Sequence, residues 1–122
     1  MSVRRAFTNL TADPITRLRF KVINVTTFPA PGGIADLRLR TSESSTEPDP
    51  CGGGKSTISL AGLTLEQPPS QPNGGGFNSN VSADTVNLDT PLQPGETIFV
   101  NFLFGIQQTG TFRVFVNIEA LP

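Results

Sequence analysis

The run TIFVNFLFGIQQTGTFRVFVNIEAL at positions 97–121 constrains the fold most strongly. Apolar residues recur in it at every second position, in two blocks separated by a polar stretch that contains Gly110. Because successive side chains of a strand point to opposite faces, this period predicts two strands, each with one continuous apolar face. The pattern therefore predicts an antiparallel hairpin with Phe104 opposite Phe112, so that both apolar faces lie in one layer.

The other face of this predicted hairpin is mixed in character. It carries the large apolar residues Phe99, Leu103 and Phe115 among polar ones. A fully solvated face rarely holds two phenylalanines, although single exposed apolar residues are normal. We expect partial cover by loops of the same chain, with a protein partner as the alternative, and these three residues are candidate interaction residues.

The same two-residue period predicts further short strands along the chain. They fall at 3–8, 16–25, 34–41, 56–65 and 81–88. In the second of these the apolar residues change parity at Ile23, which predicts a bulge or a shift of burial near Val22. The fourth is expected to form one or two strands, kinked at Gly62. Segments rich in proline and glycine join the strands, and no stretch shows the 3.6-residue period of a helix.

About eight short strands with turn signals between them predict an all-β fold. We expect a two-sheet antiparallel β-sandwich of immunoglobulin-like type, with a closed barrel as the alternative. The 122 residues are expected to form one domain, long enough for a core without disulfides. Cys51 is single, so it is either a free thiol or the site of an intermolecular bridge.

The sequence predicts neither a signal peptide nor a membrane helix. The stretch MSVRRAFTNL has no apolar run after its arginines, so we expect no signal peptide in it. No segment approaches the ~18 consecutive apolar residues that a membrane helix requires.

Five segments resemble a recurrent C-terminal β-sandwich module of bacterial secreted and cell-surface multidomain proteins. They are TRLRF (16–20), TTFPAP (26–31), ADLRLRTS (35–42), LEQPPSQPNGGGFNS (65–79) and GIQQTGTFRVFVNIEALP (105–122). The resemblance implies a β-sandwich fold and an extracellular or cell-surface location. It brings no active-site residues with it.

Several catalytic and cofactor chemistries lack the residues that they need. The chain has no histidine, so a serine nucleophile lacks its usual base, and a single cysteine cannot build a soft-ligand metal site. The stretch CGGGKST (51–57) imitates a phosphate-binding loop, but Asp49 stands where that motif requires glycine, and no helix is predicted after it. The net charge of −1 argues against nucleic acid as a partner. We expect no enzymatic activity and no cofactor.

Calcium binding is an alternative that the loops leave open. The weak candidates Asp49, Asp84 and Asp89 lie in or beside loops that could converge at one end of a sandwich. They lack the dense spacing of a dedicated calcium loop, and solvated loop acids are the simpler interpretation. Glycan binding is the related alternative, although the tryptophan and tyrosine on which such sandwiches stack sugars are both missing.

Two modification patterns are weaker still. Asn9 begins one of three glycosylation sequons, which are close to chance in a chain rich in serine and threonine. An isopeptide bond between Lys21 and Asn117 would require both side chains to be buried, whereas their parity points them away from the core.

Charge is distributed unevenly between strands and loops. Most basic residues lie on predicted strands, including Arg17, Arg19, Arg38 and Arg40, whereas most acids lie in loops. Outward charges on strands guard sheet edges against aggregation. Alternatively, a basic face could meet the acidic loops of a neighbouring copy, and such a heterologous contact would propagate. The sequence thus predicts a non-catalytic structural or adhesive extracellular module that binds a protein partner or itself, as an oligomer, filament or array.

Overall fold

A computed structural model describes residues 1–27, 33–54, 56–66 and 79–122. These residues form nine β-strands: β1 (Ser2–Thr8), β2 (Arg17–Thr27), β3 (Asp36–Arg40), β4 (Ser45–Pro48), β5 (Thr57–Ala61), β6 (Thr64–Leu65), β7 (Asn80–Ser82), β8 (Thr97–Gln108) and β9 (Phe112–Leu121). In these ranges no helix has the length and apolar character needed to cross a membrane.

The strands form two sheets that pack against each other. Sheet A has five strands, in the order β1-β8-β5-β4 with β3 also paired to β8, and sheet B has four, in the order β6-β7-β2-β9. The prediction of an all-β, two-sheet fold is confirmed, and the sheets do not close into a barrel. The purely antiparallel arrangement is wrong, because β5 runs parallel to β8, with Ala61 beside Val100.

The predicted hairpin of β8 and β9 is also wrong. β8 pairs with β1 and β3 in sheet A, whereas β9 pairs with β2 in sheet B. The predicted inward faces are nevertheless largely right: Phe102 and Phe104 are buried in sheet A, and Val114 packs against the same core from sheet B. Two apolar faces in one layer can meet side by side or across a sandwich, and alternation alone does not distinguish these arrangements.

Strand β2 shows the predicted irregularity. Its register against β9 shifts between Val22 and Asn24, which confirms the expected bulge at Ile23. Before the shift, Leu18, Phe20 and Val22 are almost fully buried. The extra residue restores the alternation, so that β2 stays paired with β9 from Arg17 to Thr27.

An aromatic cluster joins the two sheets at the centre of the core. Phe20 of sheet B lies 4.9 Å from Phe7 and 5.1 Å from Phe102, both of sheet A, measured between ring centroids. Phe20 is fully buried and the Phe20–Phe102 pair is edge-on, a favourable geometry for aromatic rings. These contacts fix the packing of one sheet on the other.

A buried amide holds the loops at one end of the sandwich. Asn9 is 2% exposed, and its Nδ2 donates hydrogen bonds to the carbonyls of Asp13 and Leu92, each at 2.9 Å. Its Oδ1 accepts from the backbone N–H of Thr11 at 2.9 Å and from the Thr11 hydroxyl at 2.7 Å. The sequon that begins at Asn9 is therefore part of the packed structure.

Candidate functional site

The apolar candidates for an interaction surface lie on two different sheets. Phe99 and Leu103 are half-buried on the outer face of sheet A, whereas Phe115 is 49% exposed on the outer face of sheet B. The single outer face expected for the hairpin is therefore wrong, because its strands are not neighbours. Leu60, beside Phe99 in register, is 2% exposed although it lies outside the main core cluster, so the outer face of sheet A is partly covered by the chain itself.

Three of the four candidate strand arginines form ion pairs with acids of their own chain. Arg19 donates from Nε to Glu119 at 2.6 Å and pairs with Glu66 at 3.1 Å, and Arg17 also reaches Glu66 at 3.4 Å. In sheet A, the Nε of Arg38 lies 2.9 Å from Asp36, and Arg40 is exposed. At Arg17, Arg19 and Arg38 the positive charge of the expected basic face is thus neutralised by nearby carboxylates. This pairing weakens the electrostatic attraction of that face for an acidic partner.

Glu66 is the centre of this ion-pair network. Burial raises the pKa of Glu66, but the hydrogen bond from Ser82 and the positive charges of Arg19 and Arg17 together bring that pKa below its ordinary value of 4.5. The hydrogen bond to Glu119, followed by the Glu66 charge, raises the pKa of Arg19. The network ties β2 and β9 to the residue that follows β6, and it supports the outer face of sheet B.

The three calcium candidates occupy two loops. Asp49, between β4 and β5, accepts from the backbone N–H of Cys51 at 2.8 Å and from the Ser56 hydroxyl at 3.3 Å. Asp84 and Asp89 lie between β7 and β8, and Asp84 accepts from the hydroxyl of Thr64. Over the described ranges, no group of three or more histidine, cysteine or acidic residues lies close enough to hold a metal ion.

Two motif-like patterns of the sequence, the glycine-rich stretch at 51–57 and the Lys21–Asn117 pair, can be compared with the structure around them. Strand β5, and not a helix, follows the glycines of the imitation phosphate loop, and its Lys55 lies outside the described residues. Lys21 and Asn117 are directly opposite in the β2–β9 register, but Asn117 is exposed and Lys21 is not buried. The burial that an isopeptide bond requires is therefore missing.

Among the strands that lie at sheet edges in the described part of the chain, β1, β4 and β6 carry features that discourage strand pairing. β4 has four residues and ends at Pro48, and β6 has two residues. β1 places Arg5 on its inward face, opposite the buried Val100. Short edges, proline and inward-pointing charges each block the addition of another strand. These three edges are therefore guarded.

The edge strand β9 of sheet B has none of these features. It spans ten residues without glycine or proline, and its bulge lies on the neighbouring β2. Within the described part of the chain β9 pairs with β2 alone, so one row of its N–H and C=O groups is unpaired there. A long, unguarded edge of this kind is where an additional strand can pair.

Exposed apolar side chains cluster along β9. Phe115, Ile118 and Leu121 are each about half exposed, and the inward Val114 and Val116 are only partly buried. Beside them a cavity of about 330 Å³ opens between the sheets, lined by residues of β1, β8 and β9 that are all apolar except Arg5. The alternation in the sequence predicts the apolar residues of β9, but it does not indicate that β9 lies at the edge of a sheet.

Comparison with protein-family models, with curated proteins and with solved structures finds no match to this chain. No family is identified, so the resemblance seen in the sequence remains an expectation. A functional hypothesis for this chain therefore depends on the two-sheet fold and on the geometry of the β9 edge.

Proposed function

We propose that this domain is a non-catalytic structural or adhesive module that binds a protein strand along the free edge of β9. The observation that carries the proposal is the ten-residue, unguarded edge of β9 beside the apolar cavity. An extracellular or cell-surface setting and an immunoglobulin-like sandwich belong to the same proposal. They are supported by the sequence resemblance and by the two packed sheets.

Strand addition uses two properties of such an edge. Main-chain hydrogen bonds to the free N–H and C=O groups supply affinity, and pockets for alternate side chains supply specificity. On β9 the inward row is Phe112, Val114, Val116 and Ile118, which borders the inter-sheet cavity or is itself exposed. Alternate apolar side chains of an incoming strand would extend this row and remove apolar surface from water.

The edge is also held in place before binding. β9 pairs with β2 from Phe112 to Leu121, and Arg19 bridges the two strands to Glu119. A strand that is already extended and paired on one side loses little conformational entropy when it pairs on the other. This preorganisation favours β9 as the docking strand over the loops.

The proposal is tested with a displayed library of random extended peptides, selected against the whole domain. Ile118→Lys places a charge on the exposed inward row and should abolish the recovered binders, whereas Leu88→Lys is the control, because Leu88 is 84% exposed in the β7–β8 loop. Thermal melts establish that both variants are folded. A library that yields no binders, or binders retained equally by Ile118→Lys, would contradict strand binding at this edge.

A further inference from the structure

We propose that the strand that docks on β9 is β9 of a second copy of this chain, in antiparallel register centred on Val116. The inference rests on the proposed function and names its partner. It follows from the arrangement of side chains along β9, which is self-complementary about Val116.

The apolar positions of β9 match themselves about this centre. In an antiparallel pair related by a two-fold axis at Val116, Val116 lies opposite its own copy, Val114 opposite Ile118, and Phe112 opposite Ala120. These residues belong to the inward parity of the strand, so the apolar rows of both copies would be continuous. The half-exposed Ile118 would gain an apolar neighbour in each copy.

The charges of β9 match about the same centre. Arg113 and Glu119 are the charged residues of this strand, and both belong to its outer parity. The register centred on Val116 places Arg113 opposite the second copy's Glu119, twice by symmetry, and each Glu119 carboxylate would be shared between this arginine and Arg19 of its own copy. The other registers that keep the faces matched are shifted by two residues and set Arg113 opposite Asn117 or Leu121. Charge complementarity therefore selects one register.

Arg113 and Glu119 would determine the register more than the affinity. Opposed charges across a sheet are exposed and each pair contributes little, whereas like charges directly opposite are unfavourable. The lasting affinity would come from the apolar row and from about eight to ten main-chain hydrogen bonds, a typical count for a specific interface.

The resulting assembly would be closed. The four strands of sheet B in each copy would join into one continuous sheet, with the same surface used on both copies. An isologous contact of this kind forms a dimer and does not propagate. A filament or array would need a second interface elsewhere, and among the described strands the guarded β1 and the short β3, β4 and β6 are poorly suited to provide one by strand pairing.

Complementary charge reversals test the register. Arg113→Glu alone sets glutamates opposite each other, and Glu119→Arg alone sets arginines opposite each other, so each is expected to raise the dissociation constant of its homodimer by about tenfold or more. Mixing the two variants in equal amounts restores opposite charges at both positions. We expect the mixture to form a heterodimer with affinity within about threefold of the wild type.

The measurement is light scattering coupled to size exclusion over a concentration series, with mass spectrometry of the mixture. The wild type should approach twice the 13.0 kDa monomer mass. A wild type that stays monomeric, or a mixture that shows no preference for heterodimers, would overturn the inference. A monomer that still yields edge-specific peptides would overturn the second copy as partner and leave strand binding intact.

A second pair of variants keeps the test valid if Glu119→Arg does not fold, because that change places a guanidinium beside Arg19. Ile118→Lys should shift the dissociation constant by about tenfold or more, while Leu88→Lys leaves it unchanged. A dimer that is insensitive to Ile118→Lys in a folded protein would place the interface away from β9.

Discussion

Removal of the Phe20 ring should show how strongly the two sheets depend on their aromatic contact. Phe20 is fully buried on β2 and meets Phe7 at 4.9 Å and Phe102 at 5.1 Å, both on the opposite sheet. Truncation of a buried phenylalanine to alanine destabilises a protein by about 3–5 kcal/mol. Because Phe20 contacts two rings at once, we expect Phe20→Ala to fall in the upper half of that range.

The change is large relative to the whole stability of such a domain. Domains are stable by about 5–15 kcal/mol, so Phe20→Ala should lower the urea midpoint by roughly 2 M. Phe102→Ala, at the buried centre of β8, should have an effect of about 3–5 kcal/mol as well. Phe20→Leu is the matched control, because it keeps most of the apolar volume and loses the ring contacts.

Equilibrium urea unfolding, followed by circular dichroism, measures these differences. A loss below about 1 kcal/mol for Phe20→Ala would refute the assignment of the core, since a residue with that effect is not holding two sheets together. Equal losses for Phe20→Leu and Phe20→Ala would show that ring geometry, and not volume, dominates the contact.

Four further predictions concern single residues around the sandwich. Glu66→Gln should lower the free energy of unfolding at neutral pH, and its difference from the wild type should shrink as pH falls below about 4.5. The reason is that the pKa of Glu66 is lower in the folded than in the unfolded chain, so the carboxylate stabilises the fold fully above the unfolded-state pKa and loses this effect when it is protonated. A difference between variant and wild type that is the same at about pH 3 would contradict this. Asn9→Ala should destabilise the domain by about 2–3 kcal/mol in the same urea assay, since it removes all the hydrogen bonds of a buried amide and takes the side-chain acceptor from the Thr11 N–H, and an unchanged midpoint would show that water replaces the amide. Gly62→Ala should cost about 1–3 kcal/mol, because a Cβ there would meet the backbone of Ser42, and a neutral result would mean that the kink between β5 and β6 is loose. Phe115→Ser should change the stability of the monomer by less than about 1 kcal/mol while weakening any dimer, and an unfolded variant would show that the outer face of sheet B is covered by the chain.

Local alternation predicted which faces are buried but not which strands are neighbours. The parity of Phe102 and Val114 was sufficient to place both in one apolar layer. It could not decide whether β8 and β9 pair along a hairpin or face each other across a sandwich, because both arrangements bury the same residues. The chain passes from sheet A to sheet B between β8 and β9, and there Gly110, with φ 151°, lies so near Ala35 that a Cβ would be only 3.0 Å from the backbone nitrogen of Ala35. Such a long-range contact leaves no local signal.

The bulge in β2 was predictable for the opposite reason. A change of parity at Ile23 is a local signal, and the register shift between Val22 and Asn24 follows directly from it. The candidate site on β9 was predictable only in part. Its apolar row is visible in the sequence, but its position on an edge depends on the order of strands in sheet B, which long-range pairing determines.

For the charged residues too, the sequence predicts the direction of the side chain but not its partner. The outward direction of Arg17 and Arg19 follows from strand parity, but their pairing with Glu66 depends on β6 lying in the same sheet. Glu119 is directly opposite Arg19 only because β9 pairs with β2 instead of β8. Once the hairpin is replaced by two sheets, part of the basic charge on the strands is paired with acids of the same chain, at Arg17, Arg19 and Arg38.

Residue-resolved amide hydrogen exchange over a concentration series tests the central claim most directly. In an edge strand, alternate N–H groups point away from the neighbouring strand, so about half of the β9 amides should exchange rapidly in dilute wild-type protein. The account predicts that these alternate amides of β9 become protected as concentration rises, that those of β1 and β4 do not, and that Ile118→Lys removes the effect. Exchange of the β9 amides that is independent of concentration, or protection that arises at β1 or β4 instead, would contradict it.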